Sequence, residues 1–298
     1  MDGYSGNILY VNVSNSEIRK EPLDVELAKR LVGGVAINYK LAYDLITPGI
    51  DVLSPENPII LGTGLLVGTN APGSSKLFAT TKFPLNGAIS IAAAGGSLGH
   101  MLKWAGYDYL VITGRSEKPV YLRILDEHVE ICDASHLWGK DIIATTDQLR
   151  EDHGKESSVA AIGQAGENLA KISFSIVDKV ASLGKGGLGA VMGSKNLKAI
   201  VAQGTKGLQV AETKRFRKLA TEILEGVKNY PHRERWMKQG TMYAWESFPD
   251  ITVPINYGTS LYPPGKANEL YGIKILERVK KAYVACPSCP IALSLIHI

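Results

Sequence analysis

The chain opens on an alternating stretch, NILYVNV from Asn7 to Val13, whose apolar and polar positions follow the period of a half-buried strand. Ser14-Asn15-Ser16 marks a turn into EIRKEPL. From Asp24, an N-cap residue, a helical period runs through VELAKRLV. It is interrupted at Gly33-Gly34, resumes toward Ile46 and stops at Pro48-Gly49. Short apolar runs bounded by turn residues predict strands at 59–62, 77–81, 88–92, 109–113, 120–125, 129–132, 159–162, 172–177 and 199–202. Helices are predicted at 97–105 and 142–151. This order is not the regular strand–helix alternation of a doubly wound sheet, so the fold class is α+β, rich in short strands. No internal repeat is visible in the sequence.

After Gly204 the pattern changes. Phe216, Leu219, Ile223, Leu224 and Val227 fall at helical spacing before Pro231, and more helix is predicted from Trp236 to Trp245. FPDITVPINYGTSLYPPG reads as an extended connection, and a last helix from Glu269 to Lys281 leads to Cys286-x-x-Cys289. A β-rich domain at 1–205 and the start of a helical one at 206–292 are therefore expected.

Composition narrows the function. Of 298 residues, 45% are apolar and 21% charged, enough apolar surface to exclude a disordered chain. The net charge of +4 is spread along the chain, with no basic stretch interleaved with aromatics, so no nucleic-acid partner is expected. No apolar run is long enough to span a membrane, and the N-terminus lacks a signal-peptide core, which makes a cytoplasmic location the expectation. Three cysteines are no disulfide framework. Under reducing conditions a CxxC pair points to metal or redox chemistry.

Three loops carry candidate chemistry. Gly184-x-Gly186-x-x-Gly189 has the form of a dinucleotide fingerprint, but no acidic residue stands about 20 positions on, and the last predicted strand ends well upstream. Gly193-Ser194-Lys195 has the wrong order for a P-loop. What SLGKGG can do is present backbone N–H groups and the Lys185 charge to an anion, although a plain tight turn explains it equally well. APGSSK, ending at Lys76, and AAAGGS, with Gly95-Gly96 before a helix, have similar chemistry. Cys132, His100 and His136 lack partners at ligand spacing and read as core or surface residues; Trp104 and Trp138 read as core anchors.

Taken together, GYSGNILYVNV, LSPENPIILGTG, AGYDYLVITGRSEKPVYL, DASHLWGKD, AAIGQAGENLAKISF and GGLGAVMGSKNLKAI resemble the aldehyde:ferredoxin oxidoreductase family from Gly3 to about Val201. The resemblance implies a β-rich saddle holding a tungsten or molybdenum bis-pterin cofactor, with Mg between the pterin phosphates. It places Lys76, Ala93, Ala94, Gly95, Gly96, Leu183, Gly184, Lys185 and Gly186 in the cofactor-binding loops. It also implies an aldehyde or related carbonyl substrate, ferredoxin or a similar electron carrier as partner, and a homodimer at full length. The family's acid/base residues lie beyond Ala292, so no catalytic side chain is assigned. The family's hyperthermophile-type members commonly carry Arg where Lys76 and Lys185 stand, another Arg near Ala181, and Asn-Ser at Ala93-Ala94. Lys keeps the charge without the planar fork, which suggests a divergent branch.

In that family the cluster motif is C-x-x-C-P-I-x-C with a fourth cysteine downstream. Cys286 and Cys289 match as ligands of a [4Fe–4S] cluster, but position 293 holds Leu293, so the ligand set is incomplete. The sequence LSLIHI, at 293–298, is also what the mosaic end of a common transposase sequencing adapter encodes. The expectation is therefore that these six residues are a non-native tail and that the natural chain runs past Ala292. A pterin-binding module without catalysis of its own, and a nucleotide-binding α/β enzyme, are the alternatives.

Overall fold

The computed structural model describes residues 1–240, 276–278, 280–292 and 294–296. Strands β1 (Asn7–Asn12) and β2 (Glu17–Pro22) form a hairpin, followed by helices α1 (Val25–Leu31) and α2 (Val35–Leu45). Then come β3 (Ile59–Thr63), β4 (Leu77–Lys82), β5 (Ile89–Ala94), α3 (Leu98–Ala105) and β6 (Tyr109–Thr113). These strands make one sheet in the order β2-β1-β6-β3-β4-β5, with only β1 and β6 parallel. A second sheet takes β7 (Val120–Leu125), β8 (His128–Asp133), β9 (Ser158–Ala161), β10 (Ser175–Val177), β11 (Ala181–Leu183) and β12 (Leu197–Gln203). Among them lie α4 (Ile142–His153), α5 (Gln164–Glu167) and α6 (Leu188–Ser194).

The second sheet's order is β11-β10-β9-β12-β7-β8, again with one parallel pair, β7 and β12. Read from the other edge it is β8-β7-β12-β9-β10-β11, the first sheet's order shifted by six strands. The structure thus holds a repeat that the residue pattern does not show. In each half a glycine turn follows the fifth strand and leads through a short helix (α3 or α6) into the sixth. A trace survives in sequence: Gly96-Ser97-Leu98-Gly99 and Gly186-Gly187-Leu188-Gly189 stand at the same place in the two halves.

The halves pack face to face. Leu9, Val11, Leu61 and Leu77 of one sheet and Val120, Leu122, Ile200 and Ala202 of the other share a core into which α3 sends Leu98 and Leu102, and α6 sends Val191 and Met192. The outer face of the first sheet, through Ile8, Ile60 and Val111, is covered by Ile37 and Leu41 of α2. That of the second, through Val159, Ala161 and Val201, is covered by Leu137 and by Leu149 of α4. Burying apolar area at roughly 25 cal/mol per Å² makes this layered core the main stabilising term.

Beyond Gly204, helices α7 (Thr213–Lys228) and α8 (Arg233–Gln239) follow. On α7 only Ala220 is buried, and Leu219 and Ile223 stay exposed despite the helical apolar spacing. Helix is observed where 236–239 was predicted; the rest of that element and the expected connection lie outside the described residues. Of the helix expected up to Lys281, residues 276–278 are helical and β13 (Ala282–Val284) follows, pairing antiparallel with β14 (Ser294–Ile296). Trp104 and Trp138 are half-buried rather than core residues, and Trp104 Nε1 donates to Gly68 O at 2.8 Å.

Candidate cofactor cradle and cysteine loop

The two sheets meet along their edge strands, β5 and β11. Lys76 directly precedes β4, whose Leu77 pairs with Ala94 of β5, so Lys76 and Gly95 lie at the same end of that ladder. A Cβ built on Gly95 comes within 4.0 Å of Ala181 Cβ, which places the start of β11 there too. At the other end of β5, the backbone N–H of Leu85 donates to Gly186 O at 3.1 Å. Lys76, Ala93, Ala94, Gly95 and Gly96 therefore gather at one end of the seam, and Gly184, Lys185 and Gly186 at the other, with Leu183 closing β11 between them. The expectation that the last strand ends well before the glycines is corrected, since β11 runs directly into Gly184. It is the outer strand of an antiparallel pair, not the first strand of a βαβ unit, so the dinucleotide reading gains nothing from it.

The turn glycines are required for a stated reason. Gly96 has φ +82°, and a Cβ there would meet Val177 and Asp178 at the end of β10. Gly186 has φ +76°, and a Cβ there would enter the Phe83 ring just past β4. Each half thus inserts a turn glycine against the other half. Gly187, at φ +92°, lies against the Lys171 carbonyl and Pro84. A Cβ on Gly184 meets only Ser182 of its own strand, so nothing else in the described chain fills that space. Lys76, Lys185 and Ala93 are exposed, and neither lysine has a hydrogen-bond or ion-pair partner among the described residues. Two uncommitted ammonium groups beside small-residue backbone suit a flat ligand carrying phosphate.

The cysteines dock at the first end. Gly96 N–H donates to Cys286 Sγ at 3.3 Å across 190 positions of sequence. Gly73 N–H donates to Ser288 O at 2.7 Å, and Ser288 Oγ donates to Thr69 O at 2.9 Å. Arg233 Nη2 donates to Pro290 O at 3.2 Å. The cysteine loop is thereby tied to the loop leading to Lys76, to the Gly95–Gly96 turn and to α8. A cavity of about 750 Å³ opens beside it, lined by Cys286, Cys289, Asn70, Phe216, Arg217 and Leu224. No group of three or more metal-ligating side chains occurs among the described residues. The cysteines supply two of the four thiolates a [4Fe–4S] cluster takes, so a complete cluster does not fit the described residues.

Sequence reasoning missed the buried charges that hold these loops. Asp178 accepts from Ser97 N and Oγ at 2.8 and 2.6 Å, from Ser158 Oγ at 2.8 Å, from Val159 N at 3.1 Å and from Arg150 Nη2 at 2.8 Å. Lys103 on α3 donates to the carbonyls of Gly3, Gly64 and Leu65 and lies 3.6 Å from Asp108. Burial lowers its pKa to about 8 and raises that of Asp108, although each charge pulls the other back toward its ionised form. Lys195, after α6, donates to Pro55 O and Gly114 O, and burial lowers its pKa to about 7. Lys198 pairs with Glu167 at 2.5 Å, both buried. His100 is buried against Trp104, and its pKa falls to about 4 through burial, with the Lys103 charge adding to the effect. His136 is exposed, and Cys132 is half-buried with its thiol pKa raised by burial.

A family profile described as "Aldehyde ferredoxin oxidoreductase, N-terminal domain" matches residues 8–204. The chain belongs to the aldehyde ferredoxin oxidoreductase family. A tungsten-containing aldehyde ferredoxin oxidoreductase of Pyrococcus furiosus is 40% identical over 293 residues, 96% of this chain and 48% of that protein. The protein of the same name from Pyrococcus abyssi is 42% identical over 232 residues, 78% of this chain and 38% of that protein. An aliphatic sulfonate oxidoreductase, WOR-like subunit, of P. furiosus is 31% identical over 240 residues, 75% of this chain and 38% of that protein. Among solved structures, the active site complex BamBC of benzoyl coenzyme A reductase, in complex with 1,5 dienoyl-CoA, superposes with a TM-score of 0.90 at 29% identity. That match covers 100% of this chain and 47% of the other. The chain spans about half the length of the curated relatives it matches. The family is one of oxidoreductases, and these matches support the α+β class read from the sequence.

Proposed function

We propose that this chain is the pterin-holding portion of an oxidoreductase that oxidises an aldehyde or related carbonyl and passes the electrons through a [4Fe–4S] cluster to ferredoxin. In this reading residues 1–205 are the cradle and 206–292 begin a helical domain. The observation that carries it is the meeting of the cysteine loop with the Gly95–Gly96 turn across 190 positions. It puts the only CxxC pair of the sequence beside the cradle.

A bound tungsten– or molybdenum–pterin centre would supply the two-electron redox chemistry. The chain's own work is binding. Lys76 and Lys185 offer point charges to phosphate groups at opposite ends of the seam. The uncrowded backbone at Gly184 and the small Ala93 let a flat ring system approach closely. The two-fold strand order suits two similar ligands, one to each half, whose phosphate charge Mg would help to neutralise. The incomplete thiolate set among the described residues favours, as a second reading, a pterin-binding module without catalysis of its own.

Anaerobic expression of the chain with tungstate, followed by metal analysis and fluorescence of oxidised pterin, tests both. Co-purified pterin that is lost in a Lys76→Met/Lys185→Met double variant supports the cradle. Pterin retained in full by that variant would overturn the assignment of the lysines. In a chain extended to supply the two remaining cluster thiolates, iron at cluster stoichiometry favours the enzyme reading, and its absence there favours the module.

A further inference from the structure

The repeat makes one asymmetry visible. Superposing the Gly-x-Leu-Gly traces puts Gly96 on Gly186, and therefore Gly95 on Lys185. In the second half this position carries an exposed lysine with no partner among the described residues. In the first it carries no side chain, and a Cβ built there would sit 2.5 Å from Cys286 Sγ, against about 3.5–4 Å for ordinary contact. The backbone at Gly95 lies outside the left-handed region, so conformation does not call for glycine here; only the sulfur does. The next residue, Gly96, donates its N–H to that sulfur. Ser97 is clamped through both its N–H and its hydroxyl by Asp178, which Arg150, Ser158 and Val159 hold in turn.

We infer that Gly95 and Asp178 are positioning residues for Cys286: Gly95 leaves the space in which the sulfur sits, and Asp178 fixes the turn whose Gly96 N–H holds it there. The cysteine loop's other ties fix its backbone, through Ser288 and Pro290, and leave the sulfur itself to this turn. The seat stands on geometry alone; that the seated sulfur ligates a cluster rests on the function proposed above.

The test is alkylation of the reduced 298-residue chain with iodoacetamide, read site by site by peptide mass spectrometry, with Cys132 on β8 as internal reference. In Gly95→Ala the sulfur must retreat by about 1 Å. Cys286 is expected to alkylate at least fivefold faster relative to Cys132. Asp178→Asn, which keeps the shape and removes the charge, is expected to give a smaller rise of about twofold. Gly226→Ala, on an open face of α7, changes neither rate. A merely structural role for Gly95 would lower the melting temperature and leave the Cys286-to-Cys132 ratio in place. An unchanged ratio in folded Gly95→Ala overturns the inference.

Should Gly95→Ala not fold, Cys286→Ala serves. The Gly96 amide then loses its acceptor and its hydrogen exchange accelerates severalfold, whereas an unchanged rate overturns the seat. These readouts need no metal. In a chain extended to supply the two remaining cluster thiolates, the expected thiol behaviour without iron under anaerobic conditions would refute the cluster reading and leave the seat standing.

Discussion

The two halves of the sandwich use the same strand order and the same device, a glycine turn followed by a helix and a buried lysine, yet they finish it differently. Lys103 faces the Asp108 carboxylate as well as three carbonyls; Lys195 has two carbonyls and, among the described residues, no carboxylate within ion-pairing distance. The first turn admits a sulfur where the second presents a lysine. The repeated frame is kept where one half packs on the other and departs from symmetry where the cysteine loop arrives. Conserving the frame therefore says little about what each end binds.

The largest expected effect separates glycines that packing demands from those it does not. Gly187→Ala combines a left-handed backbone with collision against a main-chain carbonyl and should cost on the order of 3 kcal/mol or prevent folding. Gly184→Ala, whose Cβ meets only the movable Ser182 side chain, should stay within about 1 kcal/mol by urea denaturation. Equal losses would erase the distinction between the two positions.

Next in size is the lysine comparison. Lys103→Met leaves the buried Asp108 charge to the backbone N–H groups of Ser5 and Gly6 and should cost about 3 kcal/mol, part of which Asp108→Asn in the same chain restores. Lys195→Met leaves only carbonyls unpaired, at about 1–2 kcal/mol. A double variant no better than Lys103→Met alone would show that the carboxylate is not what the lysine answers.

The pH dependence follows from the same contrast. Lys195 titrates near 7 when folded and near 10.5 in a free chain, so between those values the unfolded state holds more protons and stability rises with pH. The slope is at most about 1.4 kcal/mol per pH unit. For Lys103 the window narrows to about 8–10.5. Urea midpoints of the wild type should climb from pH 7 to 9, and Lys195→Met should flatten that climb more than Lys103→Met. The reverse ranking would contradict the assigned partners.

The smallest effect on stability is at the seam. Lys76→Met and Lys185→Met should each change it by less than about 0.5 kcal/mol. Inorganic pyrophosphate is expected to raise the melting temperature of the wild type, and both variants are expected to lose much of that rise. Stabilisation untouched in both would remove the lysines from the anion site.

Much of this was legible in the chain. The strands at Ile59–Thr63, Leu77–Lys82, Tyr109–Thr113 and Val120–Leu125 lie within a residue of their predicted bounds, because compact apolar runs between turn residues leave few alternatives. The strand predicted at 88–92 lies at Ile89–Ala94, since a run of alanines carries no period to fix its end. Strand β2 was only a turn's continuation in the sequence, because five of its six positions are exposed and it pairs only with β1, at the sheet edge. Helix α6 has no bounds legible in the sequence: all seven residues are buried, so it has no polar face to set a helical period. Lys103, Lys195 and Lys198 were invisible as structural residues because a lysine in sequence reads as surface, and only the carbonyls around it show otherwise. The loops proposed to hold the cofactor are singled out by family resemblance; the glycines alone allow several readings.

The reciprocal insertion of Gly96 against Val177 and of Gly186 against Phe83 has a consequence for synthesis of the chain. Neither half can seat its own turn until the other has been made. With the first sheet complete at Thr113, its Gly95–Gly96 turn must wait for about seventy further residues to leave the ribosome, roughly 4–15 s of elongation. During that interval β5 is an unpaired edge beside an uncovered apolar face, and this is the stage at which a nascent chain would need protection.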